Sequence, residues 1–239
     1  MERPYVCTIA GHDPSGGAGL NADLKVFEQH MVYGFSVCTA TTVQTDNEFF
    51  EINWVDAKII KNQLLRLVKK FTIKFFKIGI IQSADLLKEV VEIIRFYYPD
   101  AKIIWDPILS ASAGEAFHHS VADLREVAQL VDLITPNLME VQELFGEELP
   151  IDVSVLVKGG HSDGDSANDV LILSGEKINF PGTRYVNFSK HGTGCILSAA
   201  ILSEWAKGLS IEEACNNGKA YLTEALISNR GLLAYHNGL

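Results

Sequence analysis

Residues 191–195 read His-Gly-Thr-Gly-Cys and stand directly before the apolar stretch ILSAAILSEWA. Small residues let the backbone turn tightly and expose successive N–H groups. With a helix dipole behind them, those groups form a pocket for negative charge. A phosphoryl group in transfer develops such charge, and donors fixed in advance stabilise it. Cys195 falls in the first helical turn, where a thiol pKa is expected to be lowered, so it could act as a base or hold an attacking hydroxyl. A plain glycine helix start with a buried cysteine is the structural alternative.

Three further stretches carry chemistry. In VLVKGGHSDG an apolar strand delivers Lys158 into a Gly-Gly turn, from which its ammonium could reach phosphate oxygens. A buried structural lysine would need a carboxylate partner, and none can be singled out along the chain. In TIAGHDPSGGAGLNADLK the small residues allow a ligand close to the backbone, with Asp23 near the following helix start. There it could bond a ring amine, or sit solvated where the helix dipole favours an acid. This loop matches neither GxxxxGK[ST] nor GxGxxG. In TPNLMEVQEL, Asn137 and Glu140 lie three apart at a helix start and share a face. They could hold water around a Mg²⁺ ion, or form a capping box, or both.

The elements that must position these residues alternate. VCTIAG, FSVCTATTVQ, FFKIGI, AKIIWDP, VDLITP and VSVLVKGG read as strands. Helical spacing marks LNADLKVFEQHM, DAKIIKNQLLRLVKKF and SADLLKEVVEIIRFYY, the last capped by Ser83. This order predicts an α/β fold with a mostly parallel sheet and helices on both faces. Asp106, Asn137 and Lys158 fall at strand ends, where open α/β sheets bind ligands. TDNEFFEINW, residues 45–54, breaks the alternation and suggests a hairpin flap over the site. No repeat or linker divides the chain, so residues 1–239 are expected to form a single domain.

Composition narrows the classes. The net charge of -10 and the lack of any Lys/Arg block argue against nucleic acid. Cys7, Cys38, Cys195 and Cys215 form no CxxC pair, which suggests neither zinc nor disulfides. The N-terminus lacks a signal-peptide pattern and no run is long enough for a membrane span, so a cytoplasmic location is expected.

Taken together and in order, AGHDPSGGAGLNADLK, TPNLMEVQEL, VKGGH and HGTGC resemble the hydroxymethylpyrimidine and phosphomethylpyrimidine kinases of thiamine biosynthesis, of the ribokinase-like superfamily. The resemblance implies a three-layer α/β/α sandwich and ATP-dependent phosphorylation of the hydroxymethylpyrimidine, with its monophosphate as a second acceptor. It implies ATP and Mg²⁺ as cofactors and a homodimer. Cys195, with the Gly192, Thr193 and Gly194 anion hole and Lys158, would be the catalytic set. Lys158, Asn137 and Thr193 would bind nucleotide, and Asp106 and Glu140 would hold the metal through water. Gly11, Ala18, Asp23, Gln44 and Ile80 match ring-contacting positions. The family has methionine where this chain has Ile80, and Asn and Thr where it has Ser189 and Lys190; its C-terminus is usually longer. A pyridoxal or pyridoxine kinase, and a kinase-fold binding protein without turnover, are the competing readings.

Overall fold

The computed structural model describes residues 2–109, 121–146, 153–160 and 166–236. His161–Gly164, which follow the Gly-Gly turn after Lys158, lie outside them.

A nine-stranded sheet runs through the molecule in the order β3-β2-β1-β4-β5-β6-β7-β8-β9. The strands are β1 (Tyr5–His12), β2 (Tyr33–Gln44), β3 (Phe49–Trp54), β4 (Phe75–Ile78), β5 (Lys102–Trp105), β6 (Leu133–Ile134), β7 (Ser154–Val157), β8 (Asp169–Leu173) and β9 (Glu176–Phe180). From β2 across to β7 neighbours are parallel; β3, β8 and β9 pair antiparallel. Helices cover both faces, which is why the central strands read as apolar runs rather than alternating ones.

One face packs under α2 (Ala57–Lys70), α3 (Ala84–Tyr97), α4 (Val121–Ala128) and α5 (Leu138–Phe145), around Ile9, Phe76, Trp105 and Val155. The other packs under α1 (Gly19–Gln29), α6 (Thr193–Ala206) and α7 (Ile211–Ile227), around Val6, Ile104, Leu156 and Ile201. α6 is apolar all round and buried at every residue from Cys195 to Glu204, as a helix sandwiched between sheet and neighbour must be. Local signals set the ends. Ser83 accepts from the Leu86 N–H as the N-cap of α3, and Ser210 forms a capping box with Glu213 on α7.

β2 and β3 form a hairpin across 45–48, closed by the Thr45 N–H donating to the Glu48 carbonyl at 2.8 Å. A second hairpin, β8–β9, and helices α4 and α7 go beyond the elements expected from sequence. The β8–β9 turn carries Ser174 and Gly175 at φ of 52° and 83°, the left-handed pair of a two-residue hairpin. The Ser-Gly dipeptide between LIL and EKINF is the signal that marks it. Among the described residues no helix is long and apolar enough to cross a membrane.

The chain visits β1 and β2 in one direction, then returns to lay β4 on the other side of β1. That reversal opens a crevice at the carboxyl ends of the strands. The loops after β1, β4, β5, β6 and β7 all reach this end, and so do the residues singled out for chemistry.

Candidate active site

Lys158 emerges from β7 and its Nζ donates to Asp106 Oδ1, on the loop after β5, at 2.8 Å. The carboxylate partner that could not be singled out along the chain is therefore Asp106. It is 52 residues away in the chain and is brought beside Lys158 by the parallel sheet. Asp106 is 1% exposed and also accepts from Thr135 Oγ1 at 3.0 Å and Ser198 Oγ at 3.4 Å. Burial works against the Asp106 carboxylate, but Lys158, then Lys77, outweigh it and hold its pKa below the ordinary value. Burial likewise works against the Lys158 ammonium, and Asp106 with Glu140 more than offset it, holding Lys158 above the ordinary lysine value. The pair is ionised.

Glu140 completes the cluster, with Oε2 3.9 Å from Lys158 Nζ. It also belongs to a capping box. Asn137 Oδ1 accepts from the Glu140 N–H at 2.9 Å, and Glu140 Oε2 accepts from the Asn137 N–H at 2.6 Å. Burial pushes the Glu140 carboxyl up to about 7 although Lys158 pulls the other way, and Asp106 adds to the rise.

The start of α6 faces this cluster. Gly192 is its N-cap in the left-handed region, φ 76°, and offers no side chain to bond the first-turn N–H groups. A Cβ there would lie 2.0 Å from the Gly17 carbonyl oxygen, so only glycine lets the two loops meet. A Cβ on Gly194 would come 3.2 Å from Lys158 Nζ and 3.3 Å from Asp106 Oδ2. The helix start and the Lys158–Asp106 pair therefore border one space.

Cys195 is buried, and its Sγ accepts from the Gly19 N–H at 3.4 Å. Its expected lowered pKa is not found. Burial pushes the thiol up to about 11, and the pull of Lys77 is the smaller effect. The helix start offers a partial charge, while the core around the thiol removes the water that would solvate a thiolate.

Asp13 organises the Gly-rich loop, a role that sequence reasoning misses. Its carboxylate accepts from the N–H groups of Ser15 (2.8 Å), Gly17 (3.1 Å) and Ala18 (2.8 Å), from Ser15 Oγ at 2.8 Å and from His191 Nε2 at 3.0 Å. Burial would raise its pKa, but His191, Ser15 and Ala18 outweigh that and lower it to about 2. The Asp-Pro-Ser-Gly turn signature was available for it.

Asp23 is not solvated near the helix start. It is fully buried, with Lys77 Nζ donating to its two oxygens at 2.7 and 2.8 Å and Thr8 Oγ1 donating at 2.5 Å. A lysine inside the apolar strand FFKI is itself a signal for such a partner. Gly11 and Ile80 adjoin, since a Cβ on Gly11 would lie 2.9 Å from Ile80 Cγ2. Thr39 Oγ1 donates to the Ile80 carbonyl at 2.6 Å and fixes that loop. Gln44, half-buried, ends β2 beside the hairpin, and Ala18 is half-buried at the start of α1.

The structure thus gathers Lys158, Asp106, Glu140, Gly194 and Cys195 at one end of the sheet. It places Asp23 in contact with Lys77 and Thr8 beneath them. A set of pre-aimed N–H groups and one ammonium can hold a multiply charged anion and stabilise charge that grows on it, while the two carboxyl groups at the strand ends would need a cation between themselves and that anion.

The family model described as phosphomethylpyrimidine kinase matches residues 13–238. The hydroxymethylpyrimidine/phosphomethylpyrimidine kinase of Aquifex aeolicus is 32% identical, over 94% of this chain and 95% of the relative. That of Rhizobium meliloti is 33% identical, over 92% and 89%. Among solved structures, the phosphomethylpyrimidine kinase of Clostridium difficile 630 superposes with a TM-score of 0.78 at 32% identity, covering 93% of this chain and 99% of that one. The Bacillus subtilis pyridoxal kinase, solved as an ADP complex, superposes with a TM-score of 0.88 at 26% identity, covering 99% and 98%.

Proposed function

The chain belongs to the phosphomethylpyrimidine kinase family, and from that premise we propose that it transfers the γ-phosphoryl group of ATP to 4-amino-5-hydroxymethyl-2-methylpyrimidine and to that compound's monophosphate, in thiamine biosynthesis. The observation that supports this reading best is the shared space bordered by Gly194, Lys158 Nζ and Asp106. The nucleotide phosphates lie against Lys158 and the N–H groups of Gly192–Cys195, with Asn137 and Thr193 at their margin. Gly11, Ala18, Gln44 and Ile80 line the ring, and Asp23 with Lys77 forms its buried charged floor.

With Glu140 ionised, two carboxylates set against one ammonium leave the Asp106–Glu140–Lys158 cluster net negative, and a cation there would favour that ionised form over the protonated one. Such a cluster suits a hard cation reached through water, and Mg²⁺ when bound neutralises phosphate charge. No group of three His, Cys, Asp or Glu gathers to hold a metal among the described residues. The cation therefore belongs with the nucleotide, near Asp106 and Glu140, rather than in a cage of its own. A homodimer and a cytoplasmic location complete the reading. Free Cys7, Cys38, Cys195 and Cys215 suit a reducing compartment.

A thiol of pKa about 11 is protonated near neutrality, so Cys195 orients the acceptor hydroxyl rather than standing as a base. Most of the rate then comes from positioning and from charge stabilisation. Cys195→Ala is expected to lower kcat about 10²-fold, leaving the KM for ATP in place, and Cys195→Ser to keep most of the activity. A pH–rate profile of the wild type should show no inflection that disappears in Cys195→Ala near neutrality. If one did, the thiol would be ionising after all.

Gln44→Ala should raise the KM for the pyrimidine about tenfold, the scale of one lost hydrogen bond, without changing that for ATP. Movement of the ATP constant alone would reverse the placement of the two pockets. The superposition on a pyridoxal kinase supports one competing reading: pyridoxal as acceptor. A coupled assay of ATP consumption with the hydroxymethylpyrimidine, its monophosphate and pyridoxal side by side decides it. Turnover with pyridoxal alone would make the pyrimidine assignment wrong.

A further inference from the structure

Two residues before the N-cap of α6 stands a lysine that the phosphate chemistry above does not use. Lys190 is 7% exposed. Its ammonium donates to the carbonyl oxygens of Asn229 at 2.6 Å and Gly231 at 2.7 Å. The next N–H, that of His191, donates to the Leu232 carbonyl at 2.8 Å. Three bonds therefore tie the chain just ahead of HGTGC to the segment that follows α7.

That segment is folded in its own right. Asn229 Oδ1 accepts from the Gly231 N–H at 2.7 Å, and Asn229 Nδ2 donates to the Leu233 carbonyl at 2.9 Å. The Tyr235 N–H donates to Ser228 Oγ at 3.0 Å, which returns the chain to the end of α7. Leu233 then reaches the other loop of the site. A Cβ on Gly17 would lie 2.9 Å from Leu233 Cδ2 and 2.6 Å from His191 Cδ2. Residues 229–233 thus touch both glycine loops, the one ordered by Asp13 and the one that starts α6.

We propose that Lys190 is a positioning residue that straps residues 229–233 across the two glycine loops and so fixes the N–H groups of the anion hole for phosphoryl transfer. The proposal rests on the kinase reading above. Backbone donors act only where they are aimed, and a displacement of about 1 Å can cost on the order of 10²-fold in rate. Glycine loops hold no such aim by themselves, because glycine restricts its backbone least. An ammonium on a four-carbon stem can bond two carbonyls from one side, and charge-assisted bonds are stronger than neutral ones.

The test compares the wild type with Lys190→Met, Lys190→Arg and Asn229→Ala; the last lies outside both loops. Steady-state kinetics, calorimetry with a non-hydrolysable ATP analogue, and Tm are read on each. Lys190→Met and Asn229→Ala should each lower kcat about tenfold and weaken analogue binding, while the KM for the alcohol stays near that of the wild type and the Tm falls by only a few degrees, the scale of the lost hydrogen bonds. The double variant should do little more than Lys190→Met, because Lys190→Met removes the anchor of residues 229–233 and Asn229→Ala, which keeps its own carbonyl, removes the side-chain bonds that shape the same segment. Lys190→Arg should recover most of kcat, since a guanidinium can serve both carbonyls. A fall in Tm with unchanged kcat, or additive losses in the double variant, would overturn the proposal by reducing the strap to a structural tether. Analogue binding needs no turnover. A wrong acceptor alcohol would appear as a wild type inactive on the pyrimidine whose nucleotide affinity still falls in Lys190→Met, whereas a wrong strap leaves that affinity unmoved.

Discussion

Lys158→Met should lower kcat/KM about 10³-fold, the scale on which a single cation stabilises a transferring phosphoryl group. Methionine keeps most of the stem and removes the charge. The ammonium stands 2.8 Å from Asp106, 3.9 Å from Glu140 and next to Gly194 at the start of α6. It therefore faces both the carboxylates and the anion hole. Charge spreads over the equatorial oxygens as the phosphoryl group leaves, so the loss should fall more on kcat than on the affinity for nucleotide. Affinity should still weaken, because the same oxygens are charged in the ground state.

The variant also strands a buried carboxylate. Asp106, 1% exposed, would keep Thr135 and Ser198 as its side-chain donors among the described residues, and neither brings a charge. Part of any loss could then be misfolding. Lys158→Met/Asp106→Asn separates the two effects. Removing the stranded charge should restore the Tm, while turnover should stay at least as low as in the single variant, because Asp106 is also placed beside the cation. Calorimetry with a non-hydrolysable ATP analogue and with the pyrimidine completes the comparison. An analogue bound as tightly as by the wild type, together with retained turnover, would make Lys158 a purely structural partner of Asp106.

How far the site is legible in sequence follows from what each residue needs. FFKI, KIIW and SVLV announce buried parallel strands because both of their faces are covered, and Lys158 is placed at a strand end by that pattern alone. The HGTGC start of α6 is equally local, since its glycines and the apolar helix behind them are contiguous. The Lys158–Asp106 bond is not local. It depends on which strands the fold sets near each other, and the order β5-β6-β7 is a property of the whole sheet. The thiol of Cys195 fails for a related reason. Its helix position is readable, but the burial that drives its pKa up comes from α1 and the sheet packing around it. The role of Lys190 is not legible in the sequence. Its partners are backbone carbonyls, which no side-chain pattern marks.

Lys77→Met tests the charge buried beneath the site. Lys77 and Asp23 are both fully buried, and their contact, 2.7 and 2.8 Å to the two oxygens, is the kind of pair whose partners cannot be removed singly. Burial works against the ammonium, but Asp23, then Cys195 and Asp106, hold its pKa above the ordinary lysine value. Without it, Asp23 keeps the Thr8 hydroxyl at 2.5 Å and no cation among its described partners. The variant should then lose about 3–5 kcal/mol near neutrality, read from denaturant midpoints. The sign with pH follows from Asp23. Burial pushes its carboxyl up, and Lys77 is the main group pulling it back. In Lys77→Met the folded-state pKa therefore rises further above the unfolded value, which is about 3.9. Stability carried by such a group is fully present below the unfolded pKa and is lost as pH rises through the folded one. The gap between variant and wild type should thus be small in acid and widen toward neutral pH. A constant gap would mean that methionine packs badly and that the charge is not the cause. Lys77→Met/Asp23→Asn should recover most of the stability, since the stranded carboxylate is gone. Turnover of that refolded double variant then reports what the buried pair does for Cys195 and the anion hole above it.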